Sequence, residues 1–537
     1  MKQAAAPKKQ IGLSHRISNG LIKGYGIFFM GVVFLLFIGC IFFNIDHKWY
    51  FIWWVQLLAF FGVGVVLLGC SVGCEALYWH CKLIKKFFVK HSVLMIFAVM
   101  LAVFFVQFWY AQQIGCVIGW DCGFLVNSSA ENNPDSVYYS RYPNNLFLMF
   151  AFRWINSLHI GDLWSVVRFV NILCIDLSIL LVFAAGKMMF DLRTGLVSWA
   201  LSLVTMGFWG WLIVPYSDTI SMPFSIAAFC LYLCGRNTKR NLCWKITAMA
   251  GVGILIYVGY SIKPTAIIVV IAIVLSEIVE AVKNRKNFKR IVAFLGIIII
   301  SAGATHIGWS AFLNHQDVIE LDPDKAFPMS HFFMMGMNKR VSNNYPDRYL
   351  YGAFLADDVD YTDSFQGHDA KVEANLVRIK QRFSQYGFGG YLQFLIQKLR
   401  WITSDGTFAW GGEGNFLFSY SLEKGSESAV FLKNLIYPKG QNFDYYRYFV
   451  QGIWLFLLLL IAFPLFTKQR ADHRTMLFAT RLTVTGIILF ILLFEGRARY
   501  LINHLPYFIL LAGYGFALLE SKVGKWCFRK ISLRERH

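Results

Sequence analysis

Charged residues are scarce in this sequence, since Asp, Glu, Lys and Arg make up only 15% of its 537 residues. An average soluble domain carries about 25%. Acidic residues are the scarcer sign, with 31 against 51 Lys and Arg, which gives a formal net charge of +20. A soluble nucleic-acid-binding protein would carry such an excess on a more polar chain, whereas here 57% of residues are hydrophobic and mean hydropathy is +0.51. That class is therefore excluded, and no nucleic-acid partner is expected.

Several short catalytic motifs are also missing. The sequence contains no HExxH, no pair of CxxC motifs, no phosphate-binding P-loop and no dinucleotide fingerprint, which argues against a metalloprotease and against ATP-driven transport. We expect no cofactor. Two of the 11 cysteines, Cys116 and Cys122, lie close together outside the spans described below, where either a disulfide or two free thiols would fit.

Long apolar runs occur from one end of the chain to the other, which excludes a soluble enzyme with a single membrane anchor. A bilayer core of about 30 Å requires roughly 20 apolar residues per helix. Runs of suitable length predict about twelve transmembrane helices, at residues 25–44, 50–74, 92–111, 166–187, 195–214, 219–234, 246–261, 264–281, 291–314, 448–467, 476–494 and 500–519. A shorter run at 146–158 predicts a re-entrant or juxtamembrane helix.

The positive charges predict how these helices are oriented. Lys and Arg cluster in the loops around residues 82–90, 187–193, 236–245, 283–290 and 468–474, and at both ends of the chain. The positive-inside rule places these segments in the cytoplasm. All of them can lie on that side only if the run at 146–158 does not fully cross the membrane. The predicted protein is thus an all-α, multi-pass protein of the cell membrane with both termini cytoplasmic.

Four regions follow from this topology. Residues 1–91 form a cytoplasmic tail with two additional spans, and residues 92–314 form a membrane core with an outer loop at 112–145. Residues 315–446 are long enough for a mixed extracytoplasmic domain. Residues 447–537 hold the last spans and a basic cytoplasmic tail.

Two acidic residues lie outside the membrane close to the helix bundle. Asp121 follows the third span between aromatic residues, where partial desolvation favours a base for a hydroxyl group. Asp218 occupies the short outer turn before another span and is a second acid on the same face. Either residue could instead cap the helix that follows it.

Basic residues on the outer face break the positive-inside pattern. Arg497 and Arg499 flank one outer boundary, Lys263 occupies another, and Arg141 is the only basic residue in its loop. Guanidinium groups match phosphate oxygens, so these residues predict a phosphate or lipid head-group site. Anchoring at the membrane interface is the alternative reading, especially for Lys263.

Further polar residues complete the candidate site. Tyr142, Asn144 and Asn145 precede the short apolar run, where they either shape a substrate cleft or serve as interface anchors and helix caps. In the large outer region we single out His331, within a stretch rich in Met and Phe, and Asp405. A structural role in packing is the alternative for both.

Taken in order, these motifs resemble the GT-C glycosyltransferases. The resemblance rests on Asp121, the Tyr-Pro-Asn-Asn sequence at 142–145, the turns at 215–219 and 263–265, and the sequence from Glu495 to Leu501. Within that superfamily the chain looks like uncharacterised Gram-positive membrane proteins that share Met-Met-Gly-Met-Asn and Asp-Gly-Thr-Phe stretches. The resemblance runs from about Val93 onward, so the first two spans are treated as an N-terminal addition.

The resemblance implies an enzyme that moves a sugar from a polyprenyl-phosphate carrier to an acceptor, foremost a cell-wall glycopolymer, on the outer face. It implies a catalytic base at Asp121, a supporting acid at Asp218, and lipid-phosphate contacts at Lys263, Arg497 and Arg499. Many relatives carry a second acid beside the first-loop Asp, whereas Cys122 follows Asp121 here. A metal-binding version of the site is therefore not expected.

Three other functions are alternatives to sugar transfer. A flippase or transporter of lipid-linked saccharides would place charges within the spans, as Asp176 and Glu277 do. A polymerase or ligase of lipid-linked saccharides would share the donor and differ in its outer loops. A membrane scaffold that binds a partner is the third alternative, but it would give Arg497 and Arg499 no role.

Overall fold

The computed structural model describes residues 13–42, 51–80, 82–236, 240–342, 345–410, 421–467 and 474–534. Most of the predicted N-terminal tail, the ends of the first two predicted spans at 43–44 and 50, and part of the basic loop at 468–473 lie outside these residues.

The described chain is almost entirely helical. In chain order its helices are α1 (Leu13–Phe42), α2 (Trp53–His80), α3 (Lys82–Ile114), α4 (Trp120–Ser128), α5 (Ser136–Arg141), α6 (Leu146–Ser157), α7 (Leu163–Met189), α8 (Leu192–Met206), α9 (Ser217–Arg236), α10 (Leu242–Ile262), α11 (Ile267–Lys283), α12 (Phe288–His315), α13 (Met329–Gly336), α14 (Ala356–Asp363), α15 (His368–Thr403), α16 (Glu427–Ile436), α17 (Phe443–Ala462), α18 (Arg474–Leu493) and α19 (Leu505–Arg534). Two strands, β1 (Lys339–Ser342) and β2 (Tyr345–Tyr351), form an antiparallel hairpin between α13 and α14.

Eleven of these helices are long and apolar enough to cross a membrane, within the residues that the structure describes. They are α1, α2, α3, α7, α9, α10, α11, α12, α17, α18 and α19, and each coincides with a predicted span. The sequence-based prediction of an all-α, multi-pass membrane protein is therefore confirmed.

The one predicted span not matched by these eleven helices is 195–214, where the observed helix is shorter than expected. Helix α8 has 15 residues, or about 22 Å at 1.5 Å per residue, and a 3₁₀ helix at Gly210–Ile213 follows it. Tertiary contacts fix this non-α segment, because Asn171 Nδ2 donates to the carbonyl oxygens of Trp211 and Leu212 at 3.0 and 2.9 Å. Apolar composition continues beyond Met206 although the α-helix ends there.

The N-terminal helices pack directly on the C-terminal ones. Helix α2 lies against α17 at a close approach, where a Cβ atom on Gly452 would be 2.8 Å from the backbone of Ala59. On α1, the Tyr25 hydroxyl is 2.6 Å from Thr485 Oγ1 of α18. The predicted N-terminal addition is thus an integral part of the bundle.

The short apolar run at 146–158 forms α6, whose 12 residues span about 18 Å and are too short to cross a bilayer. Its buried residues Leu146, Met149 and Phe152 recur at helical spacing, while Trp154 on another face is exposed. Together with α4 and α5, this helix fills the connection between α3 and α7, as the sequence predicts.

Candidate active site

A cavity of about 470 Å³ lies where the loops after α3, α10 and α18 meet α13. Eight of the predicted site residues line it: Asp121, Tyr142, Asn144, Asn145, Lys263, His331, Arg497 and Arg499. The chain brings these residues together from positions nearly 400 apart in sequence. Aromatic side chains, including Trp120, Tyr138 and Tyr500, form much of the remaining wall.

Asp121 lies in the first turn of α4 and does not cap that helix. The N-cap is Gly119, and no side chain caps the helix there. Trp120 has a positive φ of 53°, an uncommon backbone conformation for a bulky residue that recurs at functional sites. The Asp121 side chain is exposed to the cavity, and its Oδ1 accepts a 2.9 Å hydrogen bond from the Tyr138 hydroxyl.

Tyr138 joins Asn145 to Asp121 in a chain of hydrogen-bonded side chains that begins at Asn144. Asn145 Nδ2 donates to the Tyr138 hydroxyl oxygen at 2.7 Å, and Asn144 Nδ2 donates to Asn145 Oδ1 at 3.1 Å. Burial, followed by the negative charge of Asp121, raises the pKa of Tyr138. The phenol therefore keeps its proton at neutral pH and remains a donor to the carboxylate.

Tyr142 lies beside this chain. Burial and, next, the charge of Asp121 raise the pKa of Tyr142 to about 12. A second protonated phenol thus lines the cavity near Asp121, whereas the Tyr138 proton is already donated to Asp121.

Asp218 is fully buried and forms ion pairs with two predicted phosphate-binding residues. Lys263 Nζ lies 3.0 Å from Asp218 Oδ1, and Arg499 Nη1 lies 3.5 Å from Asp218 Oδ2. Local structure produces this geometry, because Asp218 is in the first turn of α9 and Lys263 caps the C-terminus of α10 before Pro264. Asp218 is absent from the cavity wall, so it acts there as the counter-ion of Lys263 and Arg499.

Both cations also lie against aromatic rings. Lys263 Nζ is 4.0 Å from the centre of the Tyr500 ring, and the Arg499 guanidinium is 3.6 Å from that of Tyr216. Since rings attract cations on their faces, these contacts fix the two side chains in place. The result is a rigid basic surface in a mostly aromatic cavity.

The loop carrying Glu495 and Arg497 is attached to α13 and to the hairpin by its backbone. Glu495 N donates to the Phe332 carbonyl oxygen at 2.8 Å, and Gly496 N donates to that of Gly352 at 3.0 Å. The Glu495 carboxylate accepts a 2.7 Å hydrogen bond from the Tyr500 hydroxyl. These bonds set the position of Arg497 on the cavity wall.

Lys398 of α15 supports the same loop from behind. Its buried Nζ donates to the carbonyl oxygens of Gly336, Leu492 and Phe494 at 2.8, 3.1 and 2.7 Å. Burial lowers the pKa of Lys398 to about 7. Sequence reasoning missed Lys398, because its partners lie up to 96 positions away, and Tyr138, because no local motif marks it as a site residue.

Arg141 and Asp405 are not among the described residues that line the cavity. Arg141 forms a two-point ion pair with Asp363 of α14, with Nε 3.0 Å from Oδ1. Asp405 is buried, and its carboxylate accepts hydrogen bonds of 2.8 Å from Thr407 N, Thr407 Oγ1 and Ala409 N. Both side chains are thus committed to structural contacts.

His331 does line the cavity, but its ring is nearly inaccessible. Its Nδ1 is 2.7 Å from Thr362 Oγ1 of α14. Burial lowers the pKa of His331 to about 4, so the imidazole is neutral at neutral pH. A neutral ring bonded to Thr362 suits packing between α13 and α14 better than binding of an anion.

The predicted absence of a metal stays a prediction. Among the described residues, no group of three or more His, Cys, Asp or Glu side chains is close enough to hold a metal ion. Cys116 and Cys122 are both buried free thiols, which resolves that open alternative in favour of unpaired cysteines.

Comparison with known proteins gives one family and one structural likeness. A family model described as conserved hypothetical integral membrane protein matches residues 15–518, which include the first two spans. No curated protein matches the sequence. The crystal structure of ArnT from Cupriavidus metallidurans in the apo state is 12% identical over 80% of this chain and 77% of that one, with a TM-score of 0.30. That score is too low to transfer a fold or an activity.

The family match spans nearly the whole bundle, including every helix that contributes to the cavity. The chain belongs to the family of conserved hypothetical integral membrane proteins.

Proposed function

We propose that this protein is a membrane glycosyltransferase that transfers a sugar from a polyprenyl-phosphate carrier to an acceptor on the extracytoplasmic face. One observation carries the proposal: an accessible carboxylate, Asp121, and three basic residues, Lys263, Arg497 and Arg499, line the same cavity. A base and a phosphate site in one cavity are what transfer from a sugar phosphate requires.

The basic residues hold the donor phosphate. Arg497 offers a planar fork that matches phosphate oxygens, and Lys263 and Arg499, which pair with Asp218, add further positive charge to the cavity wall. Because Asp218 already balances part of this charge, the cations stay in place when the phosphate is absent. Such preorganised charge stabilises a leaving group without rearrangement.

Asp121 acts as the general base. It accepts the proton of an acceptor hydroxyl while that oxygen attacks the anomeric carbon from the face opposite the phosphate. The bond between the anomeric carbon and the phosphate oxygen breaks, its electron pair leaves with the polyprenyl phosphate, and the configuration inverts. The hydroxyl of Tyr138 donates to Asp121 Oδ1, and we assign the proton transfer to Asp121 Oδ2, which lacks that donor.

The role proposed for Asp218 differs from that of a supporting acid, which the resemblance implies. A carboxylate with no exposed surface and two cationic partners cannot contact an acceptor in this conformation. We assign it the role of a positioning residue that holds Lys263 and Arg499. The cavity side of the membrane is the extracytoplasmic side in this proposal, the membrane is the cell membrane, and a wall glycopolymer is the proposed acceptor.

The test uses proteoliposomes and a polyprenyl phosphate that carries a radiolabelled sugar. The proposal expects label to leave the lipid and enter added glycan, and expects Asp121→Asn to abolish that transfer. Asp162→Asn is the matched control, because Asp162 is an exposed helix cap away from the cavity and Asn caps equally well. If labelled lipid crosses the bilayer without losing its sugar, the protein is a flippase and the proposal is wrong.

A further inference from the structure

A second cavity, of about 350 Å³, lies between the last turns of α1 and the end of α15. Leu36, Gly39 and Cys40 line it on α1, while Leu399, Arg400 and Thr403 line it on α15. Its volume is within the range of small-molecule sites. This α1–α15 groove shares no lining residue with the candidate active site.

The second half of α15 presents an exposed apolar stripe that leads into the groove. Gly387, at a φ of +61°, breaks the helix, and residues after it form a new segment. Phe388, Leu392 and Ile396 are 80%, 52% and 51% exposed and recur every four residues, so they share one face. A contiguous exposed apolar face of this kind marks contact with a membrane or a partner.

Membrane is the environment that this stripe meets. Helix α1 is one of the membrane-spanning candidates, and its Leu35, at the edge of the groove, is 69% exposed. Cys40 Sγ donates to the Thr403 carbonyl oxygen at 3.3 Å, which joins the end of the span to the end of α15. The stripe on α15 therefore continues the lipid-facing surface of α1 at the level where the span ends.

The groove combines an apolar slot with one positive charge. Among the described residues that line it, Arg400 is the only charged side chain and none is acidic. Gly39 leaves the slot open, since a Cβ atom there would meet nothing within 4 Å. An arginine at the end of a span lies at the depth of lipid phosphates and attracts anionic lipids.

We propose that the α1–α15 groove is a binding site for one acidic phospholipid. Its phosphate contacts Arg400, and one acyl chain follows the slot past Gly39 and Leu36. The site is separate from the proposed sugar-transfer cavity, so it stands whether or not the protein transfers sugars.

Three substitutions separate the two halves of the site. Arg400→Gln removes the charge and retains a polar side chain, and Arg400→Lys restores the charge. Gly39→Leu fills the slot without touching the backbone. Gly24→Leu is the matched control, because Gly24 lies on the same helix, outside the groove, and a Cβ there also meets nothing within 4 Å.

Native mass spectrometry of the full chain in detergent, titrated with phosphatidylglycerol or phosphatidylcholine, tests the proposal. The wild type is expected to bind one phosphatidylglycerol roughly tenfold more tightly than phosphatidylcholine, because the choline ammonium of the latter offsets the attraction of its phosphate to Arg400. Arg400→Gln abolishes that preference and Arg400→Lys keeps it. Gly39→Leu weakens binding of both lipids at this site, and Gly24→Leu matches the wild type.

Three results would overturn the proposal. Equal affinities of the wild type for the two lipids would show that the site does not select for a net negative charge on the lipid. Unchanged binding in both Arg400→Gln and Gly39→Leu would place the lipid elsewhere. Dimeric protein that Gly39→Leu converts to monomer would show that a second copy covers the groove.

Discussion

Asp218→Asn is expected to destabilise the protein because it removes the only negative charge from a buried cluster of three ionised groups. Asp218 has no exposed surface, and its oxygens lie 3.0 Å from Lys263 Nζ and 3.5 Å from Arg499 Nη1. At an effective dielectric constant of about 20, each pair at such a distance attracts by about 5 kcal/mol. In the native protein, the cost of removing these charges from water offsets much of the attraction. When only Asp218 is neutralised, Lys263 and Arg499 still bear their own desolvation cost but lose the attraction.

The free energy of unfolding should therefore fall by about 3–5 kcal/mol, the usual cost of breaking a buried ion pair from one side. Tryptophan fluorescence during thermal and denaturant unfolding in one detergent measures the loss, with Asp162→Asn as the exposed control. Adding Lys263→Met to Asp218→Asn should recover part of the stability, because the double variant leaves one unpaired cation fewer.

An Asp218→Asn protein as stable as the Asp162→Asn control would refute this reasoning. It would mean that water reaches Asp218, or that Lys263 and Arg499 find other anionic partners. The absence of any recovery in the double variant would likewise remove the ion pair between Asp218 and Lys263 from the explanation.

Three further predictions concern Tyr138, Arg497 and His331, which line the cavity. Tyr138→Phe should lower kcat by roughly tenfold, since Asp121 loses the hydrogen bond that orients its carboxylate in the cavity; an unchanged kcat would contradict this. Arg497→Gln should weaken binding of polyprenyl phosphate by about tenfold in a lipid-binding titration, whereas Arg141→Gln should not, because Arg141 pairs with Asp363. His331 has a pKa of about 4 when folded and about 6.5 when unfolded, so the unfolded state binds more protons between these values. Stability should then fall as pH drops from 6.5 to 4, and His331→Gln should flatten that slope in unfolding measurements at each pH.

Hydropathy predicts the membrane helices because crossing a bilayer imposes one requirement on each segment independently. Eleven of the twelve predicted spans coincide with helices of spanning length. The exception, 195–214, satisfies the same composition but ends as a helix at Met206, where Asn171 binds the carbonyl groups that follow. Such side-chain contacts from another helix are invisible in a local window of sequence.

Charge placement predicts much of the candidate site for a similar reason. Arg497, Arg499 and Lys263 stand out because they break the positive-inside pattern of the sequence. All three line the cavity. Charge placement does not predict which charged or polar side chains contact one another. The ion pairs of Asp218 and of Arg141, and the chain from Asn144 to Asp121, depend on which segments meet in space.

Asp405, a candidate in the polar region 315–446, is harder to interpret from sequence. Asp405 resembles an exposed loop acid, yet its carboxylate stabilises a tight turn in which Phe408 and Ala409 have positive φ. An Asp that accepts backbone hydrogen bonds within its own turn has the same local composition as a catalytic one. Only the three-dimensional contacts distinguish the two.

The most direct test of the central claim is a cryo-electron microscopy structure of the Asp121→Asn variant with a polyprenyl-phosphate sugar. The donor phosphate should lie within hydrogen-bond distance of Arg497 and Lys263, and the anomeric carbon should face position 121. A phosphate bound outside the cavity, or a cavity that stays empty at saturating donor, would contradict it.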